Sequence, residues 1–310
     1  MGGAESCDSP RSWPGDVALV PLRKGNFPNV RLERRFPQLL EVIAPGSRIF
    51  FRLPARFCGK HSEAHFSRAM NFCVCNDAEA MSCQAKQRIL DSLTDKPDLL
   101  MCAAGGSTPL RTYELLAEQR GRNPDLFGKL RIVKLDEWGG LEMNAPGSCE
   151  HQLRGHLVSA LGLTEARYFG FHSNPADPQV ECHRIRQLLA AQGPIDLCVL
   201  GLGMNGHVGM NEPAAHLQPE AHVAHLAEAT LRHPMLSHVG NPPSYGLTLG
   251  MTEILGSREI LLLVSGRAKV EPLRRLRTRE ITTHFPASFL WLHPRVTLIC
   301  DRDAAGESIH

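Results

Sequence analysis

What this 310-residue chain lacks narrows its class before any motif is weighed. No stretch reaches the roughly 18 consecutive apolar residues that a membrane-crossing helix needs, and no charged-then-apolar leader opens the sequence. Charge of one sign is also scarce. The 34 Lys and Arg against 32 Asp and Glu leave a formal net charge of +2, too little to argue for a nucleic acid or a membrane surface as partner. The ten cysteines are scattered, and several, such as Cys73, Cys75, Cys102, Cys198 and Cys300, lie in apolar runs where a reduced thiol packs as a small hydrophobe. The Cys73-Val74-Cys75 pair has no second Cys or His pair at zinc spacing, so no metal is expected, and reduced thiols point to the cytoplasm. The opening MGGAES fits the loose N-myristoylation pattern, but Cys7 is the only second anchor at hand, and membrane attachment is not expected.

Hydrophobic residues make up 43% and charged residues 21%, a globular balance, and the length allows one large domain or two smaller ones. Texture divides the chain at Met70. Before it, prolines and arginines recur (SPRSWPG, NVRLERRFP, FRLPARF) without helical or strand periodicity, and the one apolar patch, LLEVIAPG, is isolated by prolines. Residues 1–69 are therefore expected to be an irregular N-terminal extension or a misassigned start, with the natural chain beginning at Met70. From there MNFCVC reads as a strand, Asn76 or Asp77 as a helix cap, and DAEAMSCQAKQRILDSL as an amphipathic helix. Further apolar runs at 98–104, 130–136, 195–203, 259–266 and 296–300 alternate with helical segments. That alternation is the pattern of an α/β domain with a mostly parallel sheet covered on both faces, expected over residues 70–310.

In such sheets the ligand crevice lies beyond the carboxyl ends of the strands, and three loops there hold unusual chemistry. AAGGSTPL (103–110) follows a strand and opens a helix. Gly105 and Gly106 allow close backbone approach, Ser107 and Thr108 add hydroxyls, and the free N–H groups of the helix start favour an anion. The Gly-Lys-Ser/Thr ending of a nucleotide P-loop is absent. KLDEWGGL (134–141) places two acids at a strand end; alternation sends Asp136 and Glu137 to opposite faces, so one of them faces the crevice. GLGMNGHVGMNEP (201–213) has the glycine spacing of a dinucleotide turn, but Asn211-Glu212-Pro213 interrupts the helix that such a turn needs, and HLQPEAHVAH does not read as a strand ending in an acid. His207 and Glu212 are more economically read as a general acid-base pair than as metal ligands.

Taken in order, GGSTP, LDEWGGL, GLGMNGHVGMNEP, the lysine of SGRAK and FPASFLWLHPRVTLICD resemble the glucosamine-6-phosphate deaminase/isomerase family, more closely its galactosamine-6-phosphate branch, over residues 70 to 301. The Asn-Glu-Pro continuation separates this pattern from the related 6-phosphogluconolactonases. The resemblance implies a Rossmann-like three-layer αβα fold and conversion of a 2-amino-2-deoxyhexose 6-phosphate to a ketohexose 6-phosphate with release of ammonia. It implies no metal and no cofactor. The expected partner is the small sugar phosphate; homo-oligomer formation is left open. By motif, Asp136 is the carboxylate that moves the C2 proton to C1, His207 opens the ring and Glu212 supports it. The phosphate is expected at Gly106, Ser107 and Thr108 with Lys269 as countercharge, and Gly105, Glu137 and Gly206 complete the substrate-binding set.

Several positions depart from the family pattern. Asn205 stands where many members carry aspartate, and is expected to fix the His207 tautomer by hydrogen bonding. Gly105 replaces a usual threonine. The basic positions that read an allosteric amino-sugar phosphate in regulated members fall on His222 and Ala224, so that regulation is not expected. The arginine that clamps phosphate falls on Leu236, with Arg232 nearby but out of register. Cys149 and Glu150, where glucosamine enzymes commonly carry a tyrosine, and WLH at 291–293 favour galactosamine. His216, His222, His225 and His233 read as scattered surface histidines, with a lid over the site as the alternative. Two other functions stay in view. One is a lactonase-type hydrolase, for which Glu212 has no purpose; the other is a sugar-phosphate sensor, which would tolerate loss of Asp136 or His207.

Overall fold

The computed structural model describes residues 70–307 apart from 238 and 241. The expected N-terminal extension, the start at Met70 and the myristoylation pattern concern residues 1–69 and lie outside the described residues. The strands are β1 (Asn71–Cys75), β2 (Leu100–Ala103), β3 (Arg131–Lys134), β4 (Asp136–Gly139), β5 (Tyr168–Phe169), β6 (Leu197–Gly201), β7 (His222–Ala224), β8 (Tyr245–Thr248), β9 (Glu259–Val264) and β10 (Val296–Asp301). Among the helices are α1 (Ala78–Asp95), α2 (Ser107–Arg122), α3 (Cys149–Leu153), α4 (Pro178–Gln192), α5 (Glu228–Leu231), α6 (Met251–Leu255) and α7 (Val270–Arg277).

Seven strands form one parallel sheet in the order β1-β10-β9-β6-β2-β3-β5. Strand alternation divides its side chains between two cores. Leu261 and Leu263 of β9, Val199 of β6 and Met101 of β2 pack with Ile89 and Leu93 of α1 and Tyr113 and Leu116 of α2. Their neighbours Ile260, Leu262, Leu200 and Cys102 pack on the opposite face with Ile185 of α4, Ile254 of α6 and Leu273 and Leu276 of α7. The result is the expected three-layer αβα arrangement. Each such side chain contributes roughly 1.5–3 kcal/mol by leaving water, and burial on both faces is why these strands read as unbroken apolar runs. Asp77 caps α1 as anticipated, its carboxylate accepting the Ala80 N–H at 2.8 Å.

Two expectations are corrected. The run 130–136 is not one strand: β3 ends at Lys134, and Asp136 starts β4, which pairs antiparallel with β8 in a separate sheet of order β4-β8-β7. Strands of three or four residues are held by pairing with distant segments, so local sequence carries little trace of them. Cys102, Cys198 and Cys300 are buried, but Cys73 and Cys75 are only half-buried on the edge strand β1. Among the described residues no helix is long and apolar enough to cross a membrane.

Candidate active site

The cleft forms where the loops after β2, β6 and β9 meet β4 of the small sheet, and it encloses about 210 Å³. Gly105, Gly106, Ser107 and Thr108 line one side. Gly106 adopts φ 94°, a left-handed conformation suited to glycine, and no side chain caps the 16-residue helix α2 that begins after it. The Gly106 N–H donates to Gln152 Oε1 at 2.7 Å. That donor is therefore occupied, and the anion-binding capacity of the loop rests on Ser107 and Thr108. Gly105 has a local reason: a Cβ there would stand 3.3 Å from Cys149 Sγ, so a larger residue at 105 and Cys149 compete for the same space. Lys269 reaches the cleft from the turn Arg267–Lys269. Its Nζ donates to Leu202 O at 2.7 Å, and burial lowers its pKa.

Asp136 and Glu137 divide as strand alternation requires. Asp136 lines the cleft, with Cys149 Sγ 3.8 Å from its Oδ1. Burial pushes its carboxyl up to about 6, and the nearby Glu137 adds to the shift, while His207 and Lys134 oppose it. Glu137, expected to bind substrate, is corrected: it is wholly buried and absent from the cleft wall. It accepts from Lys134 Nζ at 2.6 Å and from the backbone N–H groups of Cys149 and Glu150 at 2.9 and 2.8 Å. Lys134 also reaches Glu150 at 2.8 Å. This buried cluster fastens the start of α3 to β4, and with it the position of Cys149 beside Asp136.

His207 stands on the cleft wall at the end of the tight turn after β6. Gly203 is what lets it stand there, because a Cβ at 203 would fall 2.3 Å from the imidazole. Behind the ring, Glu212 Oε2 is 3.5 Å from His207 Nδ1. The carboxylate also accepts from Asn205 Nδ2 at 2.8 Å and Thr230 Oγ1 at 2.5 Å. Burial alone would raise the Glu212 pKa, but His207 and these two donors hold it below its ordinary value. Asn211 secures the turn, its side-chain amide donating to Val208 O and Leu249 O at 2.9 Å each.

Asn205 and Gly206 do not act as expected. The Asn205 side chain bonds Glu212 and, through Oδ1, the His207 backbone N–H at 3.1 Å. It therefore orients the carboxylate instead of fixing the ring tautomer by touching the imidazole. Gly206 lies off the cleft wall. With φ 89° it shapes the turn, and a Cβ there would strike the Phe285 ring at 2.0 Å.

The cleft also contains residues that local sequence did not single out: Trp138, Thr230, Met235 and Ser265 line it, together with Cys149 and His233. His233 is thus not a scattered surface histidine; it is half-buried, and burial, with His207 and Lys269 nearby, lowers its pKa. His222 is half-buried in β7, whereas His216 and His225 are exposed. Arg232 is exposed, pairs with Glu228 and does not line the cleft, and Leu236 is buried. Thr230 and His233 are three residues apart on one short segment, but an aperiodic stretch offered no cue that it folds back over Glu212. Among the described residues no cluster of three or more His, Cys, Asp or Glu side chains is arranged to hold a metal ion.

The chain is similar to known proteins in sequence and in fold. A family model described as glucosamine-6-phosphate isomerases/6-phosphogluconolactonase matches residues 76–299. Over 214 residues the chain is 44% identical to the Escherichia coli (strain K12) protein named "Putative deaminase AgaI", covering 69% of this chain and 85% of that protein. It is 37% identical over 231 residues to the glucosamine-6-phosphate deaminase of Geobacillus sp. (strain WCH70), covering 73% of this chain and 91% of that one. The solved structure of a monomeric glucosamine-6-phosphate deaminase superposes with a TM-score of 0.72 at 34% identity, covering 77% of this chain and all of that chain.

Proposed function

Because the chain belongs to the glucosamine-6-phosphate isomerase/6-phosphogluconolactonase family, we propose that it is an amino-sugar-phosphate deaminase/isomerase. It converts a 2-amino-2-deoxyhexose 6-phosphate and water to a ketohexose 6-phosphate and ammonia. The observation that carries this reading is convergence: Asp136, His207 and the uncapped start of α2 all open onto one cleft.

The phosphate docks at Ser107 and Thr108, where helix N–H groups and hydroxyls face the cleft, with Lys269 as countercharge. His207, backed by Glu212, moves a proton from O1 to the ring oxygen and opens the sugar to its aldehyde. Asp136 then removes the C2 proton as the substrate ammonium passes one of its protons to O1, giving an enolamine. The same carboxyl returns that proton to C1, leaving a C2 imine that water hydrolyses to the ketone with loss of ammonia. A carboxyl titrating near 6 is suited to both taking and returning a proton near neutrality, and general acid-base assistance of this kind is worth roughly 10²- to 10⁴-fold. Thr230 and Asn205 hold the Glu212 carboxylate against His207.

Galactosamine 6-phosphate is the favoured substrate and glucosamine 6-phosphate the alternative. Ammonia release measured on both, side by side, tests the proposal. Release from either supports it. Release from neither, with hydrolysis of 6-phosphogluconolactone instead, replaces it with a lactonase.

A further inference from the structure

Two groups on the cleft wall have no part in the chemistry above. Trp138 lies two residues beyond Asp136 on β4, so both side chains leave the same face of the strand, and both line the cleft. Its side chain is buried, and the indole N–H meets no acceptor among the described residues. An unpaired buried donor is unfavourable and calls for an explanation, such as a ligand that supplies the acceptor. Beside it stands His233, ring centroids 6.0 Å apart at 44°. The His233 Nδ1 accepts the Met235 N–H at 3.3 Å, which leaves the proton of the neutral ring on Nε2. Pro234 opens the turn Pro234–Leu236 that follows, and its restricted φ stiffens the backbone next to the imidazole.

Trp138 and His233 are thus adjacent residues of one wall, each with an uncharged N–H left to donate. Resting on the reading that the cleft takes a hexosamine 6-phosphate, we infer that these two residues form the subsite that reads the sugar hydroxyls between the reacting carbons and the phosphate, and so decide which C4 epimer is accepted. The two ends of the ligand already have other partners: charge and helix N–H groups for the phosphate, Asp136 and His207 for C1 and C2. What remains between them is a row of hydroxyls. The phosphate already has the helix N–H groups, the two hydroxyls and Lys269, whereas a single neutral donor is enough for one lone pair of one hydroxyl oxygen. Inverting that hydroxyl swings the lone pair away and leaves the buried N–H unpaired again, which is the asymmetry that makes hydrogen-bonding sites discriminate strongly.

The test compares kcat/KM for galactosamine 6-phosphate and glucosamine 6-phosphate in the wild type, Trp138→Phe, His233→Ala and His233→Gln. Inorganic phosphate as a competitive inhibitor reports on the phosphate end. The preference of the wild type should fall about tenfold in Trp138→Phe and in His233→Ala. His233→Gln, which restores an N–H donor, should recover part of it, and phosphate inhibition should stay within about twofold throughout. The inference is overturned if the wild type treats the epimers alike, if both substrates lose equally with the ratio intact, or if phosphate inhibition weakens in step. Calorimetric titration of each epimer in an Asp136→Asn background reads the binding preference separately from turnover. A ratio that depends on His233 in a protein releasing no ammonia would sink the deaminase reading alone; ammonia release with an unaltered ratio would sink the subsite alone.

Discussion

The two sheets of this chain use burial for opposite purposes. In the seven-stranded sheet, Ile260 to Val264 of β9 are buried and wholly apolar, so nearly every contact adds to stability. In the three-stranded sheet, β4 buries Asp136 and Glu137 side by side, at 9% and 0% exposure. One carboxyl faces the cleft with its pKa raised, and the other is consumed by Lys134 and the start of α3. The large sheet is a scaffold; the small one carries electrostatic strain that the scaffold supports, a division common where function and stability compete.

The largest break in that contrast is Asp136→Asn. The proposed chemistry predicts a fall in kcat of roughly 10²- to 10⁴-fold. Stability should move the other way. The folded pKa of Asp136 lies at about 6 against an ordinary value of 3.8, so the fold binds the proton more tightly than the unfolded chain does. Its contribution is then most favourable below the lower value, and is lost as pH rises through that window. A two-unit shift corresponds to about 3 kcal/mol. Asp136→Asn should therefore melt higher than the wild type at pH 8, with a smaller gain at pH 5; a lower Tm at pH 8 would show that burying this charge costs nothing. In the wild type the same group should set the acidic limb of kcat/KM near pH 6, activity falling as pH drops.

Glu137→Gln tests the other carboxyl of β4. Removing one partner of a buried ion pair costs about 3–5 kcal/mol, and at about 2–4 °C per kcal/mol in a domain of this size Tm should drop by roughly 6–20 °C. A Tm within two or three degrees of wild type, on the order of 1 kcal/mol, would mean that the Lys134 cluster is not what anchors α3. Gly203→Ala moves a Cβ into the His207 ring, 2.3 Å away. Displacement of that ring should lower kcat about 100-fold while denaturant unfolding reports little change in stability; unaltered kinetics would remove His207 from the mechanism. At the other extreme, Ile299→Val in the large sheet should cost about 1 kcal/mol and leave kcat/KM as it was.

The same division governed what could be read in advance. The large sheet was legible because parallel strands buried on both faces appear as continuous apolar runs, as in 195–203 and 259–266. The cleft loops were legible because glycines followed by hydroxyl, acid and imidazole groups sit just past those runs. Asp136, His207 and Lys269 do line one cleft. The break after Lys134 was hidden, since nothing local marks where a strand leaves one sheet for another. Glu137 was misplaced although alternation had already turned it away from Asp136, because its real partners, Lys134 and the N–H groups of Cys149 and Glu150, include residues on a separate helix. Thr230 was hidden, and His233 read as a surface histidine, for the same reason: their segment has no periodicity, and the contact of Thr230 with Glu212 spans 18 residues.

By itself the sequence determined the αβα class and the positions of the four long strands of the large sheet, and it pointed to the loops that line the cleft, because periodicity and residue type are local properties. Only the tertiary structure decided which carboxyl is raised and which is neutralised, that Asn205 holds Glu212 and not the imidazole, and that Trp138 and His233 stand together. Those outcomes depend on burial and on the direction each side chain takes, and both are set by chain segments far away in the sequence.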